Sequence, residues 1–331
     1  MLSQAKEHRS GGGPFWDWRR RLSLENWCGD LFGGLTTAIV SLPMALAFGV
    51  ASGAGPVAGL YGAVCVGFFA ALFGGTPTLI SEPTGPMTVM MTAVIAKVTA
   101  SYPEQGLGPA FTVVMLGGLF QILFGSLKLG KYITLMPYSV ISGFMSGIGW
   151  IMILLQIPAI LGHAHRGGVI AVVQNLPQYL LTLKGPELGL GLLTLAILFG
   201  YPKPWRRAVP PQLVALVLGT LVASWLMADV ELRRIGPIPT GLPQVQWPQL
   251  PFSSLASLVL DGVVLGMLGC IDTLLTAVIA DNLTRTRHDS DQELIGQGIA
   301  NLVSGFLGGL PGAGATMGTC LLYTSPSPRD S

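Results

Sequence analysis

Charge is what this chain lacks. Of 331 residues, 18 are Lys or Arg and 16 are Asp or Glu, 10% together, with a formal net charge of +2. So sparse and balanced a set excludes a nucleic-acid surface, because affinity for a phosphate backbone is built from many cationic contacts on one face. Cysteine is scarce too: Cys28, Cys65, Cys270 and Cys320 show no paired spacing, and Cys65 and Cys270 fall inside apolar runs. Neither a disulfide framework nor a metal knuckle fits that distribution. His163 and His165 follow an apolar run with no carboxylate beside them in sequence, which argues against a metal site there. GMLGCID lacks the GxGD pattern of an intramembrane aspartyl protease, and no Ser/His pair lies in the apolar runs. The chain is therefore not expected to be an enzyme.

What is abundant is apolar surface and glycine. Hydrophobic residues make up 50% of the chain and glycine numbers 45, with a mean hydropathy of +0.61. This is the composition of a protein dissolved in lipid. Residues 1–28 carry Lys6, Arg9, Arg19, Arg20 and Arg21 without an apolar core, and read as a cytosolic leader instead of a cleaved signal peptide. Apolar runs at about 30–50, 56–74, 109–127, 135–161, 186–200, 208–228, 256–281 and 293–310 predict an all-α, multi-pass protein, and a shorter run covers 84–100.

With the leader in the cytoplasm and 84–100 counted as a half-membrane helix, the inner side holds the leader's basic residues with Lys128, Lys131, Lys203, Arg206, Arg207, Arg285 and Arg287. The outer side holds only Lys97, Arg166, Lys184, Arg233 and Arg234. That asymmetry orients the protein in the cell membrane with its N-terminus inside. It also yields seven crossings up to residue 228, so a repeat of them would be inverted. Two breaks support such a repeat. SEPTGPMT at 81–88 and GAGATMGT at 312–319 each follow a pair of long apolar runs; Asp30 to Thr84 spans 54 positions, and Asp261 to Thr316 spans 55. Discontinuous segments at matching places in two halves point to a transporter's midplane site.

A half-helix starting inside the membrane has N–H groups without intrahelical partners and the positive end of its dipole there. Two such N-termini, at Thr84 to Met87 and Ala315 to Met317, would seat a small inorganic anion without a buried Lys or Arg. Thr84, Gly85, Ala315 and Thr316 are the candidate substrate-binding residues, with the Thr hydroxyls as donors. The bland reading is a pair of Pro/Gly kinks in packed helices. Asp272 lies mid-way along an apolar run, where an uncompensated acid costs about 2.5–3.5 kcal/mol on insertion scales. Thr276, at i+4, shares its face. With free carbonyls from 312–315, these form an oxygen cage suited to a hard monovalent cation; a protonated Asp272 bonded to a neighbouring helix is the alternative. Glu82, just ahead of Pro83, reads as a helix cap or a coupling group.

Several stretches carry a resemblance: GDLFGGLTTAIVSLPMALAFGVASGAG, FFAALFGGTPTLISEPTGPMTVMMTAVIA, MPYSVISGFMSGIG, PPQLVALVLGT, GMLGCIDTLLTAVIADNLTRT and GAGATMGT. Over about residues 27–319 they resemble the SulP anion transporters, in particular the BicA-type sodium-dependent bicarbonate branch. The resemblance implies a seven-plus-seven inverted-repeat fold divided into a core and a gate. It implies an anion site at Thr84, Ala315 and Thr316 and a sodium site at Asp272, Thr276 and Gly314, with sodium as the coupling ion and no other cofactor. On this basis 29–319 is a partial transmembrane domain, with a first repeat at about 29–228 and an incomplete second at about 256–319. Residues 320–331, CLLYTSPSPRDS, read as a non-native tail, because a helix begun at mid-membrane cannot end in such a segment without stranding polar groups in lipid. The STAS domain through which the intact parent would form a homodimer is then absent, and the fragment itself is expected to be inactive. The expected function of the parent is sodium-coupled symport of bicarbonate. Proton-coupled transport of sulfate or a dicarboxylate is the alternative within the fold, and a membrane enzyme or passive anion channel the alternative outside it.

Overall fold

The computed structural model describes residues 27–133, 138–163, 169–202, 211–226 and 255–319, with 230, 232, 243 and 245–249 between the last two. The leader to residue 26, the tail 320–331, and Arg166, Lys203, Arg206, Arg207, Arg233 and Arg234 lie outside the described residues.

The described chain is almost wholly helical. Helix α1 (Trp27–Ser52) leads through a glycine turn into α2 (Pro56–Phe73), which starts on a proline, where a missing N–H costs nothing. A two-residue strand β1 (Ser81–Glu82) precedes α3 (Gly85–Ser101), and α4 (Gly108–Ser126) follows. Next come the single turn α5 (Gly130–Ile133), α6 (Tyr138–Ile160), α7 (Val169–Leu181), α8 (Gly185–Gly200) and α9 (Pro211–Leu221) with a π-helical extension Val222–Leu226. The second group is α10 (Leu255–Thr284), α11 (Ser290–Phe306) and a strand β2 (Ala313–Gly314). Four of the described helices are long and apolar enough to cross a membrane: Gly33–Ser52 within α1, then α2, α4 and α10.

Two elements differ from the sequence expectation. No helix is anticipated between 161 and 186, yet α7 lies there, bent 112° against α8. Its 13 residues reach only about 20 Å, too short to cross the hydrocarbon. Its polar Gln174, Asn175 and Gln178 hide it from a hydropathy reading, while Val172 is buried and Ile170 and Leu181 are exposed. The run expected over 293–310 is helical only to Phe306. Gly308 then takes a left-handed φ of 69°, and the chain turns back so that Leu310 N–H donates to the Ala58 carbonyl at 2.8 Å.

The core surrounds the half-helix α3. Its Met87, Met91, Val94 and Val98 pack with Ala110, Val113 and Val114 of α4, Leu258 and Leu265 of α10, and Leu310 and Ala313 from the second break. Helices α4 and α11 cross backbone to backbone. A Cβ on Gly118 would lie 2.6 Å from the Gly298 carbonyl oxygen, and one on Gly298 would lie 2.6 Å from that of Gly118. Without a hydrophobic force between helices in lipid, such close approach of small residues is the main source of packing energy. Helices α6, α8 and α9 form a looser group, separated from α1 by an apolar cavity of about 1040 Å³ lined by Val40, Pro43 and Met44 on one side and Leu190, Gly191 and Leu216 on the other.

Candidate functional site

The two breaks meet. β1 and β2 pair antiparallel, with Ser81 opposite Gly314 and Glu82 opposite Ala313, and Ala315 N–H donates to the Ile80 carbonyl at 2.7 Å. Both half-helices therefore start from one small sheet buried among helices. The backbone N–H and C=O groups freed by the breaks find partners there, as lipid requires.

The starts are built alike. Thr88 donates to the Thr84 carbonyl through its N–H at 2.9 Å and through Oγ1 at 2.7 Å. Thr319 does the same to the Ala315 carbonyl, at 3.0 Å and 2.8 Å. This equates Thr84 with Ala315, one residue from the Thr84–Thr316 match of the sequence reading. Measured to Ala315, the interval from Asp261 becomes 54, the same as from Asp30 to Thr84. Thr84–Thr88 is spaced by four and Thr316–Thr319 by three, so matching the threonines misleads by one position; the ladder bonds decide it.

Thr84 is the N-cap of α3, with extended backbone and no side-chain capping bond. Its Oγ1 donates instead to Asp272 Oδ2 at 2.7 Å. The first-turn N–H groups of Gly85 and Met87 thus lie beyond both the helix ladder and the cap side chain, while Pro86 has none. Gly85 faces α6: a Cβ there would touch Met152 at 3.6 Å and Ile148 at 3.9 Å. On the second half-helix, the Ala315 N–H is committed to Ile80, so its first-turn donors are those of Thr316, Met317 and Gly318.

Helix α10 reads the second break with consecutive polar groups on an apolar helix. Thr276 Oγ1 donates to the Gly314 carbonyl at 2.9 Å and lies 3.0 Å from Thr316 Oγ1. Gly314 N–H donates to Thr273 Oγ1 at 3.1 Å. Gly314 is tightly packed, since a Cβ would lie 3.1 Å from Thr276 Cβ and 3.2 Å from Leu79, close enough that those side chains would have to give by a few tenths of an ångström. Asp272 and Thr276 are buried, at 4% and 0% exposure. The candidate anion residues Thr84 and Thr316 and the candidate cation residues Asp272, Thr276 and Gly314 are therefore joined by direct hydrogen bonds. Among the described residues no three His, Cys, Asp or Glu side chains converge; the donors on offer are hydroxyl, carboxylate and carbonyl oxygens, which suit a hard cation.

Glu82 does not cap α3. Strand alternation sends its side chain away from that of Ser81, into the neighbourhood of Ser41 on α1 and of Gly318, where an added Cβ would lie 3.4 Å from Oε1. It is buried, and its Oε2 has no hydrogen-bond partner. The acids at the ends of α10 are paired: Asp261 with Lys97 at 2.6 Å and Asp281 with His288 at 2.7 Å. His288 Nε2 lies 2.9 Å from Ser290 Oγ, so an Asp–His–Ser chain exists that the sequence reading did not anticipate. Since the His288 N–H also donates to Asp281 at 3.1 Å, and Ser290 is the first residue of α11, the chain clamps the turn between two helices.

Sequence reasoning also missed the buried polar row on α11. Asn301 holds Gly312 from both sides: its Nδ2 donates to the Gly312 carbonyl at 2.9 Å and its Oδ1 accepts the Gly312 N–H at 2.8 Å. The signal was available as Glu293, Gln297, Asn301 and Ser304, polar residues at i, i+4, i+8 and i+11 of an apolar run.

Comparison with known proteins gives the family. The chain is 61% identical over 304 residues to the bicarbonate transporter BicA of Picosynechococcus sp. strain PCC 7002, covering 90% of this chain and 54% of that protein. It is 60% identical over 300 residues to BicA of Synechocystis sp. strain PCC 6803, covering 90% and 53%. It thus spans about half the length of these relatives. The solved transmembrane domain of a cyanobacterial BicA superposes with a TM-score of 0.88 at 59% identity, covering 92% of this chain and 78% of that one. The sulfate permease family model matches residues 28–325. The protein is therefore a multi-pass membrane protein that belongs to the sulfate permease family.

Proposed function

We propose that the intact protein is a secondary active symporter that couples sodium to uptake of a small monovalent anion, bicarbonate. The observation that carries this reading is the Thr84 to Asp272 hydrogen bond, which places a carboxylate beside the N-terminus of α3, one turn of α10 from the Thr276 that touches the second half-helix start. No Lys or Arg side chain is hydrogen-bonded to Thr84, Asp272, Thr276 or Thr316 among the described residues. Among the described residues the seat's positive charge comes from backbone groups: the dipole of α3, about half a unit, and the first-turn N–H groups of Thr316 to Gly318. With a carboxylate alongside, such a seat disfavours a dianion such as sulfate and favours a singly charged ion. Bicarbonate also carries an O–H that can donate to the carboxylate.

Sodium bound by Asp272, Thr276 and the Gly314 carbonyl neutralises the acid and restores the attraction for the anion. Anion binding raises sodium affinity by the same factor. The half-helices then move with their helices against the α6, α8 and α9 group, exposing the seat on the other side. The cytoplasmic N-terminus rests on the distribution of basic residues, and the homodimer through a C-terminal STAS domain rests on the family resemblance.

Flux of labelled bicarbonate and of labelled sulfate into liposomes carrying the intact protein, with and without a sodium gradient, tests the proposal. Sodium-driven bicarbonate uptake in excess of sulfate uptake is expected. Sulfate uptake driven by a proton gradient would replace this reading with the proton-coupled alternative, and gradient-independent flux would indicate a channel.

A further inference from the structure

Neither half-helix can hold its own place. β1 and β2 share only two residue pairs, and a two-stranded ribbon is marginal alone even at greater length. What holds the breaks is the buried row on α11. Residues 293, 297, 301 and 304 fall within about 80° of the helix circumference and span about 16 Å of its length. Each grips a different part of the same assembly. Glu293 Oε2 accepts the Gly75 N–H at 2.7 Å on the approach to the first break. Gln297 Oε1 accepts Ser81 Oγ at 3.0 Å on β1. Asn301 clamps Gly312 just before β2 and gives its remaining N–H to Gln121 Oε1 of α4 at 2.8 Å. Ser304 Oγ donates to the Leu310 carbonyl at 2.7 Å.

All four side chains are nearly inaccessible, with exposures from 0% to 2%. In lipid, four such groups on one helix stay only if each is satisfied by a partner worth having. Each has at least one partner, chiefly in the backbone and side chains of the segments leading into the two breaks, while Gln297 Nε2 has none among the described residues.

We propose that α11 is the ruler of the binding site: Gln297 and Asn301 are positioning residues that set the separation of the two half-helix N-termini and thereby the affinity for the transported anion. The proposal rests on the reading that the anion sits between those N-termini. Backbone N–H donors cannot be repositioned by side-chain rotation. A shift of either break is felt at the seat directly, and misplacements of about 1 Å are costly wherever geometry is preorganised. The two residues also act differently. Gln297 holds β1, which leads directly to Thr84 and reaches Gly314 only through the β1–β2 pair. Asn301 holds the segment carrying both Gly314 and Thr316, so it acts on the cation and the anion together.

The test uses the intact protein in liposomes and compares wild type with Ser81→Ala, Gln297→Leu, the double variant, and Asn301→Ala. Half-saturating bicarbonate and sodium concentrations and maximal rate are measured for each. Ser81→Ala and Gln297→Leu should each raise the bicarbonate value about two- to tenfold with a smaller change for sodium. The double variant should be no worse than the poorer single, because both remove one bond. Asn301→Ala should raise both values. Ser81→Ala is mild enough to fold, and its result decides the matter if a larger change does not fold. An unchanged bicarbonate value in folded Ser81→Ala, or additive effects in the double variant, overturns the proposal. A wild type that carries another anion instead of bicarbonate overturns the assigned substrate and leaves the same comparison to be made with that anion.

Discussion

Thr84 and Asp272, 188 residues apart, share a hydrogen bond of 2.7 Å in which the hydroxyl donates to the carboxylate. One hydroxyl has one proton. Given to Asp272, it is not available to an anion at the same moment, and a cation that takes over the carboxylate's lone pairs releases it. In the proposed symport this bond would be a direct physical route for coupling between the cation and the anion.

Thr84→Ala removes that donor and leaves Asp272 Oδ2 without it. Half-saturating bicarbonate should rise by the equivalent of about 0.5–1.5 kcal/mol, and more if the hydroxyl bonds the anion itself. Thr84→Ser, which keeps the hydroxyl, should recover most of the loss. Concentration-dependent uptake by the two variants checks this, and an unchanged value in Thr84→Ala would place the anion elsewhere.

Asp272→Asn keeps the size of the side chain and removes its charge. Sodium stimulation should vanish while insertion proceeds, since a central carboxylate carries an insertion cost of about 2.5–3.5 kcal/mol. Initial rates across sodium concentrations at two fixed pH values separate this from proton coupling. In the proton-coupled case the wild type would respond to pH and not to sodium. Sodium-stimulated uptake with normal half-saturation in Asp272→Asn would move the cation to another site.

Thr276→Ala removes one neutral oxygen and the bond to the Gly314 carbonyl. Its effect on sodium half-saturation should be smaller than that of Asp272→Asn, because a charged ligand contributes roughly twice a neutral one. Thr276→Ser should be close to wild type. Sodium titrations at saturating bicarbonate make the comparison.

Gly298→Val places a branched side chain where a single Cβ already lies 2.6 Å from the Gly118 carbonyl oxygen. Backbone cannot yield as a flexible side chain does, so α4 and α11 must separate. A destabilisation of at least about 1–3 kcal/mol is expected, read as a lower midpoint in a thermal-shift series in detergent. Gly34→Val, where a Cβ meets nothing within 4 Å, is the control that should leave the midpoint nearly unchanged.

Much of the architecture was legible one residue at a time. Apolar runs close to the bilayer's thickness read as membrane helices, and the expected bounds of α2, α4 and α8 differ from the observed ones by a residue or so. Proline and glycine at 83–86 and 312–314 cannot continue a helix cheaply, so the breaks were visible too. Amphipathic α7 was not, because hydropathy averages away a helix with one polar face.

The sequence by itself determined that the chain dissolves in lipid, where its helices are interrupted, and that Asp272 needs a partner, since all of these follow from local composition and the cost of polarity in hydrocarbon. Only the tertiary structure decided the rest. That Thr84 matches Ala315 and not Thr316, that the Thr84 hydroxyl serves Asp272 and not its own helix, and that Glu82 does not cap α3 are matters of register and of which side chain arrives first at a shared partner. Register between two short strands is weakly specified by the strands. Here it is held by α11, whose polar row acquires meaning only when Ser81 and Gly312 are brought against it.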